Sequence, residues 1–262
     1  MAPLLKLGRS GGADARLDLA EAARFDYTLL EGIDYVLFTA AVSGPDRCAR
    51  EFEACWRVNV TGTVHFIREA LRRGCRVLFF SSDAVFGDIP GAVYDETSET
   101  RAGTPYGRMK KAVEDEFRTE PGFKAVRLSY VASAGDRFIS YLLRCIEAGE
   151  RAEVFHPFYR NVVTASDVAD IVLYLARHWA EYEPAFLNAA GPELVSRVRM
   201  ADELNRFFGD RLAYTITAPG EDFFANRPRI TQMKSLYLGK YGIVEEGSFT
   251  EKLAKELKEV VL

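Results

Sequence analysis

The sequence predicts a parallel, doubly wound α/β sheet, and three features predict it. Two short apolar runs, DYVLFTAAV at 34–42 and RVLFF at 76–80, have the near-continuous hydrophobicity of strands buried on both faces. Helical stretches alternate with such runs, the order that joins parallel strands by crossovers. The RVLFF run ends in two serines, Ser81 and Ser82. Ligands of an open α/β sheet bind in the crevice beyond the carboxyl ends of the strands, which is where this pair falls.

Taken in order, LLKLGRS at 4–10 reads as a strand entering a turn that Gly11 and Gly12 extend, and ARLDL at 15–19 as a second strand. The segment 21–32 reads as a helix closed by Gly32. After the 34–42 strand, the pattern predicts one long helix over 45–73 that stops at Gly74. Past RVLFF a helix begins at Pro105, a residue suited to the first turn. PGFKAVRLSYVASAGDRFI at 121–139 gives a strand and its exit, followed by an amphipathic helix over 138–149. Asp167 is placed to cap the helix of the SDVADIV stretch, and Ser196 the one that follows FLNAAG. An amphipathic helix closes the chain.

Composition fits an enzyme-like domain. With 262 residues, 48% hydrophobic and 27% charged, the chain can bury a sizeable core. A net charge of −4 and a pI near 5.6 argue against nucleic acid or anionic membrane as the main partner. No apolar run reaches the roughly 18 residues of a membrane helix, and the chain does not open on a signal-peptide pattern. Cys48, Cys55, Cys75 and Cys145 form no CxxC pair and the three histidines are scattered. Neither a metal site nor a disulfide framework is expected, and a reducing cytoplasm is the default location.

Tyr106 and Lys110 lie four apart and so share a helix face. An ammonium beside a phenol favours the phenolate, and a tuned phenol can exchange a proton with a carbonyl or alcohol oxygen. A serine hydroxyl on the strand end can hold that oxygen. A hydride would have to come from a bound nicotinamide. A Tyr–Lys pair alone is more often a surface pair. The Ser-Ser strand end, the VFG after it and the YGRMK helix start are far more specific together.

That combination resembles the extended short-chain dehydrogenase/reductases, the NAD-dependent epimerase/dehydratase family, whose pattern is a Ser or Thr strand end followed by YxxxK. It is most similar to the dTDP-4-dehydrorhamnose reductase group, where S-T-D-x-V-F precedes YG-x-x-K; Ser82 takes the Thr place and Asp83 the Asp place. The resemblance implies a Rossmann-like domain over 1–130 and a smaller α/β substrate-binding subdomain over 131–262, with 159–182 returning to the first. It implies catalytic roles for Ser82, Tyr106, Lys110 and Asn59, the last in RVNVTGT. It places Arg9 and Ser10 on the 2′-phosphate of NADP, with NAD possible, Asp18 and Leu19 on adenine, and Ala40 and Ala41 beneath the cofactor that Tyr106 and Lys110 also hold. Ser82, Ala84, Tyr130 and Arg227 would face the substrate, Arg227 and Arg229 being candidates for its sugar-nucleotide phosphates. An exposed turn arginine is the competing reading of Arg9, and solvated surface arginines that of Arg227 and Arg229.

The family opens with a strand, a GxxGxxG turn and a helix, and no such motif occurs in this sequence. The first strand is therefore expected to be missing or replaced, leaving a gap or a rearranged sheet. The function implied is an NADP-preferring reductase of a nucleotide-linked 4-keto sugar, cytoplasmic and homodimeric. A nucleotide-sugar epimerase is the near alternative, whereas a 4,6-dehydratase needs a carboxylate pair after the Ser position and Asp83 is followed by Ala84. The absent glycine turn supports a different class, a non-catalytic binding or regulatory protein such as the β subunit of methionine adenosyltransferase.

Overall fold

The computed structural model describes residues 4–9 and 11–260. Strands β1 (Leu7–Gly8) and β2 (Ala15–Arg16) pair in parallel, with Leu7 beside Ala15. Two 3₁₀ segments, Leu19–Arg24 and Tyr27–Leu30, replace the single helix expected over 21–32. Asp18 and Asp26 account for the difference. Each carboxylate accepts from the backbone N–H two residues on, at Ala20 and Thr28, and so competes with a continuous helical ladder.

Strand β3 (Tyr35–Phe38) leads into the stretch expected to be one long helix. It is broken into α1 (Pro45–Arg50), α2 (Phe52–Trp56), a π-helical segment Arg57–Gly62, and α3 (Thr63–Arg72). Gly62 shows how tightly this region packs: a Cβ there would lie 1.8 Å from the carbonyl oxygen of Leu19. Next come β4 (Arg76–Ser82), β5 (Val93–Tyr94), α4 (Pro105–Phe117), β6 (Phe123–Leu128), β7 (Val131–Ala132) and α5 (Arg137–Ala148). The remainder is β8 (Ala152–Phe155), β9 (Tyr159–Asn161), β10 (Val163–Thr164), α6 (Ala165–Arg177), β11 (Phe186–Ala189), β12 (Leu194–Ser196), α7 (Arg197–Phe207), β13 (Tyr214–Thr217), α8 (Glu221–Phe224), β14 (Ile230–Met233) and α9 (Phe249–Leu257).

The main sheet is parallel in the order β11-β6-β4-β3. Strand β4 shows why its sequence is apolar throughout. Val77 and Phe79 join a core with Phe38, Phe66 and Phe123, while Leu78 joins another with Val126, Ile171 and Leu175 on the opposite face. A third core gathers Ile139, Leu142, Val154, Met200 and Leu253 from α5, β8, α7 and α9. Among the described residues β3 pairs only with β4, and β1–β2 form a pair of their own. Of the two arrangements expected, the gap is the one found. Leu37, on β3, is 48% exposed beside it.

Candidate functional site

Strand β4 delivers Ser82 to the crevice, and the chain then turns through one 3₁₀ turn, Asp83–Val85. Ser82 Oγ accepts from the Ala84 N–H at 3.2 Å and donates to Asp83 Oδ1 at 3.0 Å. Opposite, α4 starts as its sequence requires, with Thr104 capping the Gly107 N–H and Pro105 in the first turn. A Cβ at Gly107 would sit 2.2 Å from the Ala84 carbonyl oxygen. Glycine beside Tyr106 thus lets the tyrosine helix lie directly on the serine turn.

Lys110 is 4% exposed, and its Nζ donates to the Phe80 carbonyl at 2.6 Å. It lies 4.4 Å from the centre of the Phe79 ring and 5.8 Å from that of Tyr106. One turn further along α4, Glu114 forms a buried ion pair with Arg127 of β6 at 2.7 Å. Arg127 faces Ser81 across the sheet register, so this pair fixes α4 to the strands beneath the site.

The electrostatics reverse one expectation. Burial pushes the Tyr106 phenol above its ordinary pKa, and Asp83 and Cys48 push it the same way. The ammonium that was to lower it is turned to a backbone carbonyl and is itself brought down by burial to about 8, against an upward pull from Glu114. Tyr106 is therefore held as a protonated phenol. Asp83 is raised by burial, while its ion pair with Arg160 at 3.2 Å works in the opposite direction. The sequence gives no local hint of that pair, because Arg160 arrives from β9, far along the chain.

Asn59 lies in the π-helical segment and clamps the loop after β3: its Oδ1 accepts from the Val42 N–H at 2.8 Å and its Nδ2 donates to the Val42 carbonyl at 2.9 Å. That loop carries Ala40, which is exposed, and Ala41, which is half-buried. Arg9 is exposed and borders a cleft of about 190 Å³ that Ala20, Val42 and Arg57 also line. Ser10 lies outside the described residues. Asp18 commits one carboxylate oxygen to the Ala20 N–H, and the Leu19 side chain is packed in the core rather than in the crevice. Ala84 is half-buried under α4.

The Tyr130 hydroxyl donates to Asp136, which also caps α5. Burial, reinforced by Asp136, raises the Tyr130 phenol. Arg227 pairs with Asp46 of α1 at 3.0 Å and Arg229 with Glu221 at 2.6 Å, so both expected phosphate ligands already hold carboxylates. Arg227 keeps Asp46 below the usual carboxylate range. Asp167 closes a capping box with Thr164 and also binds Lys252, and Ser196 caps α7, as their positions predict. No helix among the described residues is long and apolar enough to cross a membrane.

The chain resembles known proteins in sequence and in fold. The chain is 24% identical over 176 residues to the spore coat polysaccharide biosynthesis protein SpsK of Bacillus subtilis, covering 61% of this chain and 62% of that protein. It is 28% identical over 149 residues to dTDP-4-dehydrorhamnose reductase of Salmonella typhimurium, covering 55% of this chain and 49% of the reductase. It thus spans between about half and three fifths of these relatives. Among solved structures, MoeE5 in complex with UDP-glucuronic acid and NAD superposes with a TM-score of 0.79 at 23% identity, over 96% of this chain and 88% of that one. A Bacillus anthracis dTDP-4-dehydrorhamnose reductase in complex with NADP also gives 0.79, at 19% identity, over 95% and 91%. These likenesses establish the Rossmann-like fold. The family model described as "NAD dependent epimerase/dehydratase family" matches residues 8–190, and the chain belongs to that family.

Proposed function

We propose that the protein is an NADP-preferring reductase of a nucleotide-linked 4-keto sugar. The observation that carries this reading is the seating of α4 on the Ser82 turn through Gly107, with the Lys110 ammonium between the Phe80 carbonyl and the Tyr106 ring. The reactive end of a nicotinamide cofactor fits these residues. Small side chains line the loop after β3, and the Lys110 ammonium and Tyr106 phenol lie at the strand ends, where a ribose would be held. Arg9 is exposed and would meet a 2′-phosphate, which supports NADP over NAD in this reading. When bound, the cofactor supplies the hydride.

In this reading Tyr106 protonates the carbonyl oxygen as it gains charge. Burial keeps the phenol protonated at rest, so the proton it would give is in place before the carbonyl oxygen gains charge. Ser82 orients the same oxygen once its hydroxyl turns away from Asp83. Asn59 keeps the loop beneath the cofactor in place. The substrate side is assigned to 131–262, with 159–182 returning to the cofactor domain, and a cytoplasmic homodimer is part of the same proposal.

The test is Tyr106→Phe, assayed with NADPH and a dTDP- or UDP-linked 4-keto sugar. Loss of a proton donor lowers kcat by about 10²–10⁴. Unchanged turnover in a folded variant would rule out the assigned role. If the wild type binds nucleotide sugars but turns none over, the non-catalytic reading takes its place.

A further inference from the structure

We propose that Arg197 is an oxyanion-binding residue of the crevice that recognises a diphosphate or sugar carboxylate of the substrate; this rests on the nucleotide-sugar reading above. Arg197 opens α7, and its guanidinium carbon lies 4.7 Å from the centre of the Phe138 ring of α5 and 4.7 Å from that of Phe158, just before β9. Rings from two separate elements hold the group flat and fix its direction. Such stacking favours the cation but satisfies none of its five N–H donors. Among the described residues no carboxylate or carbonyl accepts from it, and its Nε is buried without a partner. The residue as a whole is only half-buried, so the forked end is open to a ligand.

The charged groups that act on Arg197 are engaged elsewhere. Arg160 binds Asp83 and also donates to the carbonyls of Tyr159 at 2.6 Å and Pro228 at 2.8 Å. Arg227 holds Asp46. Asp136, an acid whose charge favours the Arg197 cation, accepts from the Tyr130 hydroxyl and from the Phe138 and Ile139 N–H groups. A partly buried guanidinium near two other cations, whose neighbouring carboxylate Asp136 is hydrogen-bonded elsewhere, is only partly compensated in the protein alone. A phosphate or carboxylate matches its planar fork with two parallel hydrogen bonds and relieves that cost. Burial disfavours the charge at Arg197 most, Tyr130 and Asp136 favour it, and Arg160 and Arg227 oppose it; a bound oxyanion would add to the favourable side.

The experiment is calorimetric titration of the wild type, Arg197→Met and Arg197→Lys with inorganic pyrophosphate, UDP, UDP-glucose and UDP-glucuronate. Arg197→Met is expected to weaken the oxyanion ligand at least tenfold. Arg197→Lys, which keeps the charge but not the fork, should fall between the two and serves alone if the methionine variant does not fold. Equal losses for UDP, UDP-glucose and UDP-glucuronate assign the diphosphate; a loss confined to UDP-glucuronate assigns the sugar carboxylate. Unchanged affinities in the folded variants overturn the proposal, as does a wild type that binds none of the four. Arg197-dependent binding without any keto-sugar reduction would remove the reductase reading and leave the anion site standing.

Discussion

At one end of the crevice, around Ser82 and Tyr106, each element is locked to the next: Gly107 against the Ala84 carbonyl, Lys110 on the Phe80 carbonyl, Glu114 on Arg127. At the other end, beside β3, the sheet has an unpaired edge among the described residues, and the β1–β2 pair stands apart from it. In the proposed function the first end would position proton chemistry, and the second is where the outer half of a dinucleotide would lie. The difference separates two requirements that a family pattern bundles together. A proton donor must be held rigidly within a fraction of an ångström, which takes buried contacts from several elements. A cofactor phosphate is more often held by a turn and a helix end, and no glycine-rich turn of that kind is present in the sequence.

Breaking the closed end should give the largest effect on stability. Glu114→Ala leaves Arg127 buried and unpaired, which costs about 3–5 kcal/mol. Urea denaturation measures it, and a loss comparable with a surface substitution would mean that the pair does not anchor α4. The open end should respond far less. Leu37→Lys on the exposed β3 edge is expected to change stability by no more than about 0.5 kcal/mol in the same assay. A large loss there would show that the edge is covered in solution.

A pH series sharpens the contrast further. Burial lowers Lys110 from the ordinary 10.5 to about 8, so the unfolded chain holds this proton more readily than the folded one between those values. The Lys110 contribution to stability therefore rises as pH goes from about 8 to 10.5, with its penalty fully present below about 8. Lys124, also brought down to about 8, adds a similar trend, so the quantity to compare is the wild type minus Lys110→Met. Activity should move in the opposite sense. It is retained while the ammonium is charged, below about 8, and falls above it. A flat profile from pH 7 to 10 would remove the ammonium from the mechanism.

The closed end was largely legible in the sequence because its signals are local. A Ser pair ends an apolar run, Pro105 starts a helix, and four-residue spacing puts Tyr106 above Lys110. What escaped reading depends on contacts between distant segments. Arg160 finds Asp83 only after β9 folds back, Arg227 finds Asp46 from the end of the chain, and Arg197 reaches its two rings from α7. The direction of the Tyr106 shift was misjudged for the same reason. Spacing shows that a lysine is near, but not that its ammonium points at the Phe80 carbonyl. The π-helical break at 57–62 was likewise hidden in a pattern with ordinary helical periodicity.

The central claim is that the crevice takes a nicotinamide cofactor even though its outer edge is open. Calorimetric titration of the purified chain with NADPH and with NADH, in wild type and Arg9→Ala, tests it most directly. The account predicts that NADPH binds more tightly than NADH and that the preference disappears in Arg9→Ala. Binding of neither cofactor would contradict it.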